Sequence, residues 1–97
     1  MHLKEPIILI NISAFQWDEE NEQHLLQRHS VTREEAEEVF TGDPYFKKGR
    51  NGTHYVYGQT QGGRYLFVVY LYLGKGLVRV VSARDMMERE RRLYLRR

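Results

Sequence analysis

Eight side chains carry the chemistry that this 97-residue chain could perform: Arg64, Arg79, Arg84, Tyr55, Tyr57, Tyr70, His29 and His54. Arginine grips phosphate in bidentate fashion and neutralises charge that grows on a pentacoordinate phosphorus. Aromatic rings stack unpaired bases, and imidazole moves protons. Together these groups suffice for metal-independent cleavage of RNA by its own 2′-hydroxyl, a reaction closed to DNA. The same set also suits a non-catalytic module that binds RNA or a protein partner. Phe46–Gly52 adds Lys47, Lys48 and Arg50, read either as phosphate contacts or as solvated charges.

Other chemistries lack their residues. Cysteine is absent, so neither a disulfide framework nor a thiolate zinc site is available. His24 and His29 stand five apart, on different faces of a helix, with no HxxxH or DxD spacing beside them, so no native metal site is expected. No phosphate-binding glycine loop or serine elbow occurs, and no cofactor is expected. The longest apolar run, Leu66–Leu73, is far short of the ~20 residues of a membrane helix, and no leader pattern precedes it. A cytoplasmic protein, one domain over residues 1–97, is the expectation. Its net charge of +2 conceals a division: residues 1–43 carry three Lys or Arg against ten Asp or Glu, and residues 44–97 carry twelve against three. The basic half suggests a polyanionic partner, unless the two halves neutralise each other within the fold.

The elements that must position these groups follow from pattern. Ile7–Phe15 is a β-branched strand. Asp18 caps a helix over Glu19–His29, and the Thr32–Glu35 capping box opens a second that ends at Thr41–Pro44. His54–Thr60, Arg64–Leu73 and Leu77–Ala83 read as strands. Asp85, with Glu88 three residues on, opens a C-terminal helix with an inner stripe of Met86, Met87, Leu93 and Tyr94. The order is β-α-α-β-β-β-α: an α+β fold, a small antiparallel sheet of about four strands packed on helices. A two-residue turn at Gly74-Lys75 sets Tyr70 opposite Arg79 and Tyr72 opposite Leu77. A Gly62-Gly63 turn sets Tyr57 opposite Val68 and Tyr55 opposite Tyr70. That register sends Tyr65, Phe67, Val69, Leu71, Val78, Val80 and Ser82 to the core. It gathers Arg64, Leu66, Val68, Tyr70, Tyr72, Arg79 and Val81 with Tyr55 and Tyr57 on the other face.

The runs FQWDEENEQHLLQRHSVTREEAEEVF and YVYGQTQGGRYLFVVYLYLGKGLVRVVSARDMMERERRLY, with an Asp-Pro pair between them, resemble the BrnT family of type II toxins. The similarity spans about residues 15–95, and the SARDMxxxERRLY ending is its most specific part. Trp17, Asp18, His29, Arg64, Arg79, Ser82, Ala83, Arg84 and Glu90–Arg92 match the family's pattern. The resemblance implies a RelE-like ribonuclease that cuts RNA without metal or cofactor and is neutralised by a cognate antitoxin of the BrnA kind, through which alone it meets DNA. It leaves a dimer or heterotetramer open. It also makes Arg89, Arg92 and Arg96 antitoxin contacts, an alternative to an ordinary solvated helix face. Asn21 and His24 stand where the family usually has Lys and Asn, and His54 stands where a strand usually opens with Arg. Under this reading Arg64, Arg79 and Arg84 hold phosphate, His29 or His54 relays protons, and Tyr55, Tyr57 and Tyr70 hold bases.

Overall fold

In the computed structural model, which describes residues 12–97, the first two helices begin where their capping residues place them. The Asp18 side chain accepts the Asn21 N–H and the Asn21 side chain accepts the Asp18 N–H, which opens α1 (Glu19–His29). Thr32 and Glu35 repeat the exchange to open α2 (Arg33–Thr41). Between them Ser30 adopts the left-handed conformation, φ 55°, and its N–H returns to the Leu26 carbonyl at 2.9 Å.

The remaining elements are β1 (Ala14–Phe15), β2 (Tyr45–Lys48), β3 (His54–Gln59), β4 (Tyr65–Gly74), β5 (Leu77–Asp85) and α3 (Glu88–Arg96). They form one five-stranded sheet, ordered β1-β5-β4-β3-β2, in which β1 runs parallel to β5 and every other neighbour is antiparallel. The α+β class stands, with two amendments: Phe46–Lys48, expected as part of a basic loop, joins Tyr45 in an edge strand, and the sheet is mixed. Of the expected first strand only Ala14–Phe15 is seen; Ile7–Asn11 lies outside the described residues. At the C-terminus Met87, not Asp85, is the N-cap of α3, and Glu90 Oε1 accepts the Met87 N–H at 2.8 Å. Asp85 stays in β5 because Arg64 holds its carboxylate there. Of the expected inner stripe of α3 only Tyr94 is buried.

One face of the sheet is covered by α1 and α2. Leu25, Val31, Ala36, Val39 and Phe40 meet Val56, Leu66, Val68, Tyr70, Val78, Val80 and Ala83 there. Phe40 is the hub, its ring 5.0 Å from both Phe15 and Tyr70. Helix α2 lies so close to β3 that a Cβ on Gly58 would stand 2.9 Å from Val39 Cγ1.

The register differs from the expected one, and the difference moves β4. The first hairpin closes through a three-residue loop, Gln61–Gly63, with Thr60 and Arg64 as its closing pair and Gly63 at φ 95°. The second turns on Lys75 and Gly76, both at positive φ, the requirement of a type I′ turn. Tyr57 therefore pairs with Phe67, Tyr55 with Val69, and Tyr70 with Val80, while Arg79 pairs with Leu71. A one-residue slip inverts every side chain of a strand. Leu66, Val68 and Tyr70 go into the core, and Phe67, Val69 and Leu71 face away from the helices. Tyr70 and Arg79 thus lie on opposite faces, and the single face that was to hold both does not form. On β5 the extra residue Val81 forms a bulge, so Ala83 takes the core position expected of Ser82. The Asn21 amide donates to the Val80 carbonyl beside that bulge at 2.7 Å.

Candidate functional site

The face away from α1 and α2 carries a run of aromatic rings across three strands. Strand pairing puts Tyr45 beside Tyr57, Lys47 beside Tyr55, and Tyr57 beside Phe67. Ring centroids are 5.9 Å apart for Tyr45 and Tyr57, 4.9 Å for Tyr57 and Phe67, and 5.1 Å for Tyr55 and Phe67. Arg84 ends the run, its guanidinium carbon 4.4 Å from the Phe67 centroid. Helix α3 closes one side. It is anchored by Tyr94, whose hydroxyl donates to the Asp43 carbonyl, and by Arg91, which lies over Tyr65.

Arg84 also donates both Nη groups to Glu90, at 2.8 and 2.9 Å, a bidentate pair that fixes the fork's plane. The hydrogen bond from Arg84 holds Glu90 below the usual carboxylate range, and Glu90 in turn raises Arg84 above the usual arginine value. Burial, with Glu90 nearby, pushes the Tyr57 hydroxyl up, which makes it a weaker acid than a free tyrosine and leaves it protonated at neutral pH. The arrangement presents π-faces for stacking, one oriented guanidinium and phenolic donors.

The other residues singled out from the sequence are dispersed. Tyr70, expected to hold bases, is 1% exposed in the core, where burial pushes its hydroxyl up to about 12. Arg64 is committed to structure. It donates to both Asp85 oxygens, to Glu35, and to the His29 and Ser30 carbonyls at the end of α1. Arg79 lies on the open face but turns to the β1 edge, bonding Gln16 at 3.1 Å and Asp18 at 2.9 Å. It stands five residues from Arg84, roughly 15 Å along a strand. His29 belongs to the end of α1, and His54 stacks on Tyr70 at 5.5 Å on the helix-covered side. His54 opens β3, whereas Arg64, whose guanidinium takes the His29 carbonyl, follows the turn at the strand's other end. The two histidines therefore do not meet. Lys47 is exposed on the open face, Lys48 lies opposite His54, and Arg50 is exposed in the β2–β3 turn. Arg89 and Arg96 are exposed on α3, and Arg92 pairs with Glu88 at 3.2 Å.

Phe67 and Tyr45 are the members of this face that sequence reasoning left out, and Glu90 entered it only as a match to the family's pattern. Phe67 was assigned to the core, and the signal that would have released it is the Gln-Gly-Gly loop, read as a three-residue hairpin with glycine in its last position.

Among curated proteins nothing matches. In the Brucella abortus ribonuclease toxin BrnT, solved by crystallography at 1.1 Å, the fold is similar: TM-score 0.66 and 17% identity over 77% of this chain and 97% of that one. A family model described as the ribonuclease toxin BrnT of type II toxin–antitoxin systems matches residues 17–90, from the tryptophan before α1 to the glutamate that holds Arg84. That span exceeds half of the chain, and the chain belongs to the BrnT toxin family.

Proposed function

We propose that this protein cleaves single-stranded RNA through attack of a 2′-hydroxyl on the adjacent phosphorus, without a metal, and that a BrnA-like antitoxin neutralises it. The observation that carries the reading is Arg84, held over Phe67 at the end of the aromatic run. Bases stacked on Tyr55 and Tyr57 bring a phosphate to Arg84, whose Nε–H edge, not engaged by Glu90 or the Asp85 carbonyl, offsets the charge that grows on the non-bridging oxygens. The Tyr57 hydroxyl donates its proton to the leaving 5′-oxygen, solvent water takes the proton of the attacking 2′-hydroxyl, and the Tyr57 phenolate, whose raised pKa favours the protonated form, is reprotonated from solvent. Arg79 widens the positive field at the β5 edge, and Lys47 and Arg50 supply phosphate contacts beyond the reacting step. The outer side of α3, with Arg89, Arg92 and the exposed Leu95, takes the antitoxin.

A second reading, RNA binding without cleavage, is favoured by the placement of the histidines. Among the described residues His24 and His29 belong to α1 and His54 stacks on Tyr70, so the open face has no imidazole. Incubation of the purified protein with single-stranded RNA in a chelator separates the two. Cleavage yields 2′,3′-cyclic phosphate ends; Arg84→Lys, which loses the bidentate fork, slows it by about 100-fold or more, and Tyr70→Phe leaves it intact. RNA that is bound but never cut establishes the second reading.

A further inference from the structure

The open face continues into a groove that shares Tyr45 and Tyr57 with the aromatic run. It lies between β2 and α3, has a volume of about 360 Å³, and is lined by Tyr45, Lys47, Tyr57, Glu90, Leu93 and Arg96, among others. That volume falls within the size range of small-ligand sites, about 300 to 1,000 Å³. The Tyr45 and Tyr57 rings, inclined by 37° to each other, offer aromatic surface on the strand side, and Leu93, 54% exposed, offers an apolar wall on the helix side. Lys47 and Arg96 make no ion pair or side-chain hydrogen bond among the described residues. The one carboxylate in the lining, Glu90, is already neutralised by Arg84. The groove therefore combines a stacking surface, an apolar wall and uncompensated positive charge.

We infer that this groove is a nucleotide subsite. It takes one unpaired base of a single-stranded RNA between Tyr45 and Leu93, with that nucleotide's phosphate on Lys47 and Arg96. An acidic peptide would use the two cations but leave the paired tyrosine rings without a partner, whereas a nucleotide uses both. Tyr57 belongs to the groove and to the aromatic run alike, so a strand whose phosphate lies at Arg84 continues into the groove by its neighbouring nucleotide. The inference rests on the RNA reading given above and adds to it where the flanking nucleotide goes.

The test is fluorescence anisotropy with a 5′-labelled RNA hexamer carrying 2′-O-methyl groups, which binds but is not cut. Tyr45→Ala weakens binding by about 5- to 150-fold, the range of one lost stacking contact. Tyr45→Phe stays within about twofold, because stacking does not need the hydroxyl. Leu93→Trp, which fills the groove from an exposed position and leaves β2 untouched, weakens binding by a similar factor at an unchanged melting temperature. Lys47→Ala with Arg96→Ala lowers the slope of log Kobs against log salt by about 0.7, the share of the one single-strand phosphate that the two cations hold. Wild-type affinity in both Tyr45→Ala and Leu93→Trp overturns the subsite, including the case in which the groove serves a protein segment instead. Failure of the wild-type protein to bind the hexamer at all overturns the RNA reading itself.

Discussion

Removing the Arg64 guanidinium distinguishes a structural clamp from a catalytic cation. In Arg64→Ala five hydrogen bonds disappear: two to Asp85, one to Glu35, and one each to the His29 and Ser30 carbonyls. The Asp85 side chain is 65% exposed and that of Glu35 30%, so the two ion pairs are screened and contribute about 0.5 kcal/mol each. The carbonyls at the end of α1 lose a charged donor and regain water, at about 1 kcal/mol each. The expected loss is about 3 kcal/mol, which in a domain of this size lowers the melting temperature by about 12 to 24 °C. Urea denaturation followed by the fluorescence of Trp17, the chain's one tryptophan, measures it, since Trp17 donates to Glu37 of α2 and reports the docking of the helices. Arg64→Lys, a single cation without the fork, recovers only part of the loss. A variant within 0.5 kcal/mol of wild type that has lost RNA cleavage refutes the structural assignment and returns Arg64 to the catalytic set.

Two further outcomes follow from packing and charge. Gly58→Val pushes α2 away from β3, because the new side chain meets Val39 Cγ1 at 2.9 Å and the Val39 carbonyl at 3.0 Å; chemical denaturation should show a loss of about 1 to 3 kcal/mol or more. Asp18, Asp85 and Glu90 are all held below the usual carboxylate range, Asp18 chiefly by the Asn21 N–H, Asp85 by Arg64 and Glu90 by Arg84. The unfolded chain therefore takes up protons first on acidification. The stabilisation from these groups is complete at neutral pH and is lost as pH falls below about 4 and through the lower folded-state values. Denaturation midpoints that stay flat from pH 6 to below 3 would contradict the pairings.

Local chemistry was legible in the sequence because it acts over three or four residues. The Asp18 and Thr32 caps define α1 and α2 through side chain–backbone exchanges within one turn, and the α+β class follows from the strand and helix periods. The faces of β3 also came out as expected, Tyr55 and Tyr57 open and Val56 and Gly58 buried, because the one-residue error in the assumed Gly62-Gly63 turn fell on β4 alone. Strand β4 is different. Its run YLFVVYLYL is apolar on both sides, so burying Leu66, Val68 and Tyr70 gains nothing that Phe67, Val69 and Leu71 could not also gain. Its orientation is decided by the loops, through one extra residue at Gln61–Gly63 and a turn displaced to Lys75-Gly76, and by the space that Phe40 leaves for the Tyr70 ring.

The family resemblance likewise lay in the sequence, in the WD pair and the SARDMxxxERRLY ending, and the family match bears it out. What each arginine does was a tertiary matter. Arg64 meets partners 21 to 35 residues away, and whether a guanidinium is spent on helix-end carbonyls or left over an aromatic ring depends on which strand ends and helix ends come together. Residue type set the available chemistry; the register of one two-sided strand decided which groups share a face, because alternation converts a single-residue offset into a change of side.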